Sequence, residues 1–131
     1  MLIRREAYLE CGGFDPRIFM YSEEIDLALR YRRAGWQCWQ VPAARVVHLG
    51  GRSTSQAPVA MQRELWRSRL YIYRKQRSRL AYSALALLLI FAQATRLAAV
   101  TIRRLVGVVS VDEAARQRRL AWTLLQVALS R

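Results

Sequence analysis

Residues 2–53 read LIRREAYLECGGFDPRIFMYSEEIDLALRYRRAGWQCWQVPAARVVHLGGRS, and the pattern changes several times within them. Arg4–Glu10 predicts a short helix, stopped by Gly12-Gly13. Phe14–Tyr21 predicts a loop, with Asp15-Pro16 starting a turn and aromatic side chains to anchor it. Ser22 stands where a helix N-cap is expected, and Glu23, Glu24 and Asp26 load the next turn with negative charge. Ile25, Ala28, Leu29 and Arg32 share one face of that helix, which Arg32-Arg33 and Gly35 close. Trp36–Val41 reads as a strand broken by Pro42, and Arg45–Leu49 as a second short strand before Gly50-Gly51. The order helix, loop, helix, strand, strand predicts an α/β texture, but only part of a sheet.

The remainder is different in kind. Residues 1–56 carry 8 Arg against 6 acids, while residues 57–131 carry 14 Arg/Lys against Glu64, Asp112 and Glu113, net charges of +2 and +11. The polar stretch Ser53–Pro58 is the expected boundary between the two parts. Beyond it, residues 59–79 show Leu65, Trp66, Leu70 and Tyr73 at helical spacing among arginines. Residues 80–95 form an uncharged run of 16 residues, LAYSALALLLIFAQAT. At ~1.5 Å per residue such a run spans roughly 24 Å, short of the ~30 Å hydrocarbon core of a bilayer. Extension to Ile102 includes Arg96, which would have to snorkel towards a headgroup. Arg103-Arg104, a short apolar link and a last helix from Asp112 complete the pattern.

Composition bounds the function classes. The chain has 131 residues, 53% hydrophobic and 10% aromatic, enough for a core and unlike a disordered tail. Its net charge of +13 points to an anionic partner: nucleic acid, a phosphate-bearing ligand or a membrane surface. The basic residues are arginines except for Lys75. Cys11 and Cys38 have no metal-ligand spacing and are expected as free thiols facing a core. The arginines of the first residues are followed by acids rather than an apolar run, so a secretory signal is not expected.

A carboxylate cluster at a helix start, with a loop before it, suits general-base work or metal binding. A histidine followed by two glycines, His48-Leu49-Gly50-Gly51, can bring imidazole to a metal or phosphate while the backbone approaches closely. Each also has a structural reading, as helix-dipole compensation and as a hydrogen-bonded strand-end histidine. Their order shifts the balance towards the chemical readings. IRREAYLECGGFDPRIF (3–19), SEEIDLALR (22–30), RAGW (33–36) and VVHLGG (46–51) together resemble the C-terminal half of the catalytic domain of family-2, inverting glycosyltransferases of the GT-A fold. The closest likeness is to rhamnosyltransferase-like bacterial members.

The resemblance implies transfer from a nucleotide sugar to a glycan or lipid-linked acceptor of the cell envelope. Glu24 falls on the position of the catalytic base, usually Asp; Glu has a similar solution pKa and one more methylene. Glu23 and Asp26 are expected to shape the acceptor side and fix the helix start, and Gly13, Phe14 and Asp15 to form the loop beside the acceptor pocket. His48 matches the position that helps hold the diphosphate and a divalent metal, Mg or Mn. No Asp-x-Asp motif and no glycine-rich strand–helix turn are present, so the nucleotide-binding half is expected from elsewhere and the chain alone is expected to be inactive. Residues 57–131 are expected to form a helical tail on the cytoplasmic face of the membrane, its arginines meeting anionic headgroups. Two alternatives are a membrane-associated, non-catalytic remnant and a basic nucleic-acid-binding module. The second is disfavoured, because the arginines flank the apolar run rather than covering a polar face.

Overall fold

A computed structural model describes residues 1–47 and 57–130. Five elements occur among the described residues, all of them helices: α1 (Arg5–Glu10), α2 (Glu23–Arg33), α3 (Pro58–Gln76), α4 (Arg79–Leu105) and α5 (Val111–Leu129). No strand occurs among the described residues, which corrects the expected α/β, GT-A-type fold. Trp36–Val41 and Arg45–Val47 run without regular structure, with Trp39 80% and Val46 and Val47 each 88% exposed. The physical reason is the lack of a neighbour. β-propensity measures how well a side chain fits a pleated, half-buried surface, and a ladder needs a second backbone to receive its hydrogen bonds. Among the described residues no backbone forms a ladder with Trp36–Val41 or Arg45–Val47, and only Trp36 of them packs on a core. Cys38, expected to face a core, is consequently exposed, whereas Cys11 is half-buried.

α1 ends where expected. Gly13, at φ +67°, donates its N–H to the Tyr8 carbonyl at 2.8 Å, and a side chain there would press on the Tyr8 ring at 3.0 Å. Ala7 of α1 packs with Leu27 and Tyr31 of α2, flanked by Ile3, Tyr8, Cys11 and Trp36. The face of α2 that turns inward therefore carries Asp26, Leu27 and Tyr31, while Ile25 and Arg32 face solvent.

The other three helices form the larger body. Pro58 opens α3, which stops at Gln76; Ser78 then starts α4, its hydroxyl accepting from the Ala81 N–H at 3.2 Å. Leu70, Ala86, Leu89, Leu124, Val127 and Ala128 make one core, and Val100, Val109 and Ala114 a second. Early α4 thus meets late α5 and late α4 meets early α5, an antiparallel hairpin with α3 against its open end. The hairpin turns at Gly107, φ +77°, and Ser110 caps α5 by accepting from the Glu113 N–H at 3.2 Å.

Candidate active site

The candidate residues gather on one side of α2, where the loop from Gly12 to Ser22 runs into the helix start. Asp15 closes the loop's first turn: its Oδ1 accepts from the Arg17 N–H at 3.1 Å and from Arg17 Nε at 3.0 Å. Further on, the Met20 carbonyl accepts from Ser68 Oγ of α3 at 2.8 Å. Tyr21 and Ser22 follow, both left-handed, with φ of +67° and +68°. Two adjacent non-glycine residues in that region cost about 1–3 kcal/mol each, and such strain is characteristic of functional loops. The Ser22 hydroxyl makes no capping bond, contrary to expectation. The left-handed backbone takes it away from the helix start, and the Ser22 carbonyl instead accepts from the N–H groups of Ile25 and Asp26, each at 3.1 Å.

Behind the loop stands a cluster of charges. Asp26 is 0% exposed. Its two oxygens lie 2.8 and 2.9 Å from Lys75 Nζ, and it accepts also from Gln76 Nε2 and from Arg30 Nε, each at 2.9 Å. The Lys75 ammonium reaches Asp15 Oδ2 at 2.7 Å as well, and the Tyr71 hydroxyl donates to that oxygen at 2.8 Å. Arg30 extends past Asp26 to donate to the Cys11 carbonyl, tying the α1 turn to α2. Two buried carboxylates on neighbouring segments would repel; a single ammonium between them makes the arrangement stable.

The electrostatics follow from these bonds. Arg17 holds the Asp15 carboxyl well below the usual carboxylate range, with Lys75 and Tyr71 adding to the effect against the opposing influence of burial. Burial works against a charged Asp26, yet hydrogen bonds from Lys75, Gln76 and Arg30 outweigh it and hold its pKa low. Lys75 is raised, because Asp15 and Asp26 together overcome its own desolvation. Tyr71 is pushed up by burial and by its bond to Asp15.

The expected site residues thus fall into two sets. Asp15 and Asp26 have carboxylates saturated by cations and donors. Glu24 sits exposed in the first turn of α2, and Glu23 is half-buried with Oε2 lacking a hydrogen-bond partner. Phe14 is exposed beside Gly13, its ring edge-on to Tyr8 at 5.7 Å. His48 lies outside the described residues. Among the described residues no group of three or more His, Cys, Asp or Glu could hold a metal ion. A cavity of about 600 Å³ lined by Arg32, Trp36 and Trp39 lies at the opposite end of α2, away from these acids.

Lys75, Tyr71, Gln76 and Ser68 were not among the expected site residues. One signal for them exists in the sequence, since Lys75 is the single lysine among the basic residues. A compact ammonium serves several acceptors from one point, which a planar guanidinium does not do.

No protein-family model matches this chain, and no solved structure matches it. It is similar to N-acetylglucosaminyl-diphospho-decaprenol L-rhamnosyltransferases from two strains of Mycobacterium tuberculosis, 45% identical over 60 residues. That similarity covers 46% of this chain and 20% of the relatives. It is similar also to the Rhamnosyltransferase WbbL of Escherichia coli, 44% identical over 48 residues, 37% of this chain and 18% of that protein. The chain spans about a fifth of the length of the curated relatives it matches. These similarities support a relationship to glycosyltransferases.

Proposed function

We propose that this chain is the acceptor-side part of a glycosyltransferase that moves a sugar from a nucleotide-sugar donor to a lipid-linked or other cell-envelope acceptor. The observation that carries the reading is the identity with rhamnosyltransferases, one group of which is named for a diphospho-decaprenol substrate. The site adds a chemical role. Glu24 stands exposed on the first turn of α2, where the helix dipole favours a carboxylate, beside a loop anchored by Asp15 and Asp26. As general base it takes the proton of the acceptor hydroxyl while that oxygen bonds to the anomeric carbon. The bond to the nucleoside diphosphate breaks, and inversion is what the family resemblance implies. Glu23, Gly13, Phe14 and Asp15 shape the acceptor side, and Asp26 fixes the helix that carries the base. The divalent metal that the family resemblance implies has no ligand set among the described residues, and His48 lies outside them.

A place at the membrane accompanies this role. α4 is long and apolar enough to cross a bilayer, with only 22% of its most apolar window buried in the protein. Its ends carry Arg79, Arg103 and Arg104, and we place residues 57–131 on the cytoplasmic face, against anionic headgroups. The test is transfer of radiolabelled sugar to lipid acceptor in membranes of source cells carrying Glu24→Gln at the native locus. Loss of a positioned base lowers turnover about 10²–10⁴-fold while donor affinity stays within about twofold. Unchanged turnover would remove Glu24 from the base role.

A further inference from the structure

The two helices of the hairpin share an apolar side that no described residue covers. On α4, Leu80, Leu87, Phe91 and Leu105 are each 65% or more exposed, and at ~100° per residue they fall within roughly 40° of one another. On α5, Val111, Trp122 and Leu129 are exposed and fall within roughly 20°. Tyr82 of α4 and Val127 of α5 mark the direction of α3, since both line a hollow with its Leu70 and Arg74. Each apolar row lies roughly 140–180° round its helix from that marker, so both rows point away from α3. A contact beside the rows joins them on one side: Arg118 Nη2 of α5 reaches Thr101 Oγ1 of α4 at 3.5 Å. Arg118 is the one charge on that side among the described residues, because Arg96, Arg103 and Arg104 fall within roughly 60° of Tyr82.

Charge and packing say what covers this side. Residues 57–131 carry a net charge of +11, so two copies would repel one another, whereas an anionic bilayer attracts them. Packing then decides how the hairpin meets that bilayer. From Leu80 to Leu105 α4 is about 37 Å long, enough to cross the ~30 Å hydrocarbon core, but it cannot cross alone. α5 packs with it at both ends, Ala114 with Val100 and Leu124 with Leu89, and would cross beside it. Arg96 of α4 and Arg116, Arg118 and Arg119 of α5 stand within roughly a turn of their helix centres. No acid pairs with any of these four among the described residues. In the middle of a bilayer such guanidinium groups are strongly disfavoured. On a hairpin lying flat each reaches headgroups or water, Arg118 by extending its stem. α3 then stands between the lipid and the acidic site. Its Leu70 meets the hairpin, while Ser68 and Lys75 bond the Met20 carbonyl and Asp26 from its other side.

We propose that the α4–α5 hairpin lies flat in the surface of an anionic bilayer, with the side away from α3 among the acyl chains and neither helix crossing. The inference rests on the membrane placement above and decides its geometry. It is tested on the full chain carrying Cys11→Ser and Cys38→Ser, bound to vesicles of phosphatidylglycerol and phosphatidylcholine in equal parts. Spin labels are placed in turn at Leu80→Cys, Phe91→Cys and Leu105→Cys, all exposed positions. A flat hairpin puts the three labels at one depth, about 5–10 Å into the headgroup–acyl boundary. A crossing α4 puts Phe91 near the midplane and the other two at opposite surfaces; that profile would overturn the proposal and leave the membrane placement standing. Leu87→Gln with Phe91→Gln, which removes no charge, should weaken vesicle binding about 30-fold. Arg32→Gln with Arg74→Gln, which removes two charges from α2 and α3, should weaken it about threefold or less. The reverse order would overturn the apolar side as the lipid contact. Absence of vesicle binding, with the labels shielded in a dimer, would overturn the membrane placement as well. None of these readouts involves sugar transfer, so the rate of Glu24→Gln bears on the base alone.

Discussion

The loop–α2 region and the α4–α5 hairpin are held together by different forces. Around α2 the buried apolar cluster is small, Ala7, Leu27 and Tyr31, and the most deeply buried side chains are Leu27 and Asp26. In the hairpin, contact is almost wholly apolar, along two clusters that run its length. A small core leaves orientation underdetermined, and the directional bonds of Lys75, Arg30 and Gln76 to Asp26 supply it; interdigitated aliphatic side chains supply it in the hairpin. The lesson is that the candidate catalytic helix is positioned from outside its own core. α3 holds it, through a lysine that lies 49 residues after Asp26 in sequence.

Removing one half of the clasp should have the largest effect on stability. Asp26→Ala removes the acceptor shared by Lys75, Gln76 and Arg30, leaving Lys75 only Asp15 and Arg30 only the Cys11 carbonyl, and should cost about 3–5 kcal/mol. Hydrogen exchange should show protection lost from α2 and kept in α4 and α5; equal loss in all three would abolish the distinction. The converse change, Leu124→Ala, should cost about 2–5 kcal/mol through transfer and cavity terms, and should loosen α4 and α5 with α2 less affected. Denaturation followed by exchange at each helix compares the two.

Acidification separates the regions without mutation. The folded pKa values of Asp15 and Asp26 lie below the ordinary carboxylate value of 3.8. Their contribution is fully present above that value and is lost as pH falls through the lower folded values. α2 protection should therefore decline below about pH 4 while the hairpin core persists. Lys75 has the opposite sign: its folded pKa is raised above 10.5, so its contribution is present below that value and disappears as pH rises through the folded one. Loss of α2 and hairpin protection at the same pH would contradict the charge-clasp account. The smallest effect is expected from Lys75→Arg, about 1 kcal/mol, because the charge survives but one of the ammonium's bonds does not. A double-mutant cycle with Asp15→Asn would measure it.

Much of the helical pattern was legible in the residues. The turn at Gly12-Gly13, the helix after Ser22, its close before Gly35 and the start of the last helix follow from capping and periodicity within a few residues. The strands were not, since Trp36–Val41 has strand composition but a strand is a relation between two segments. The inward face of α2 was not legible for a similar reason: spacing puts Ile25, Ala28, Leu29 and Arg32 on one face, whereas the buried position of Asp26 depends on a lysine in another helix.

The amino-acid sequence alone determined where helices begin and end, the division into a near-neutral first part and a strongly basic second part, and the order of motifs that points to sugar transfer. Those properties are local, carried by neighbours a few residues apart. Only the tertiary structure decided that Asp15 and Asp26 share one ammonium and are saturated by it together with Arg17, Arg30, Tyr71 and Gln76, while Glu24 is exposed. It alone left the outward side of α4 bare of charge. Each of these depends on which distant segments meet, and pairing at a distance is set by packing and charge complementarity rather than by local propensity.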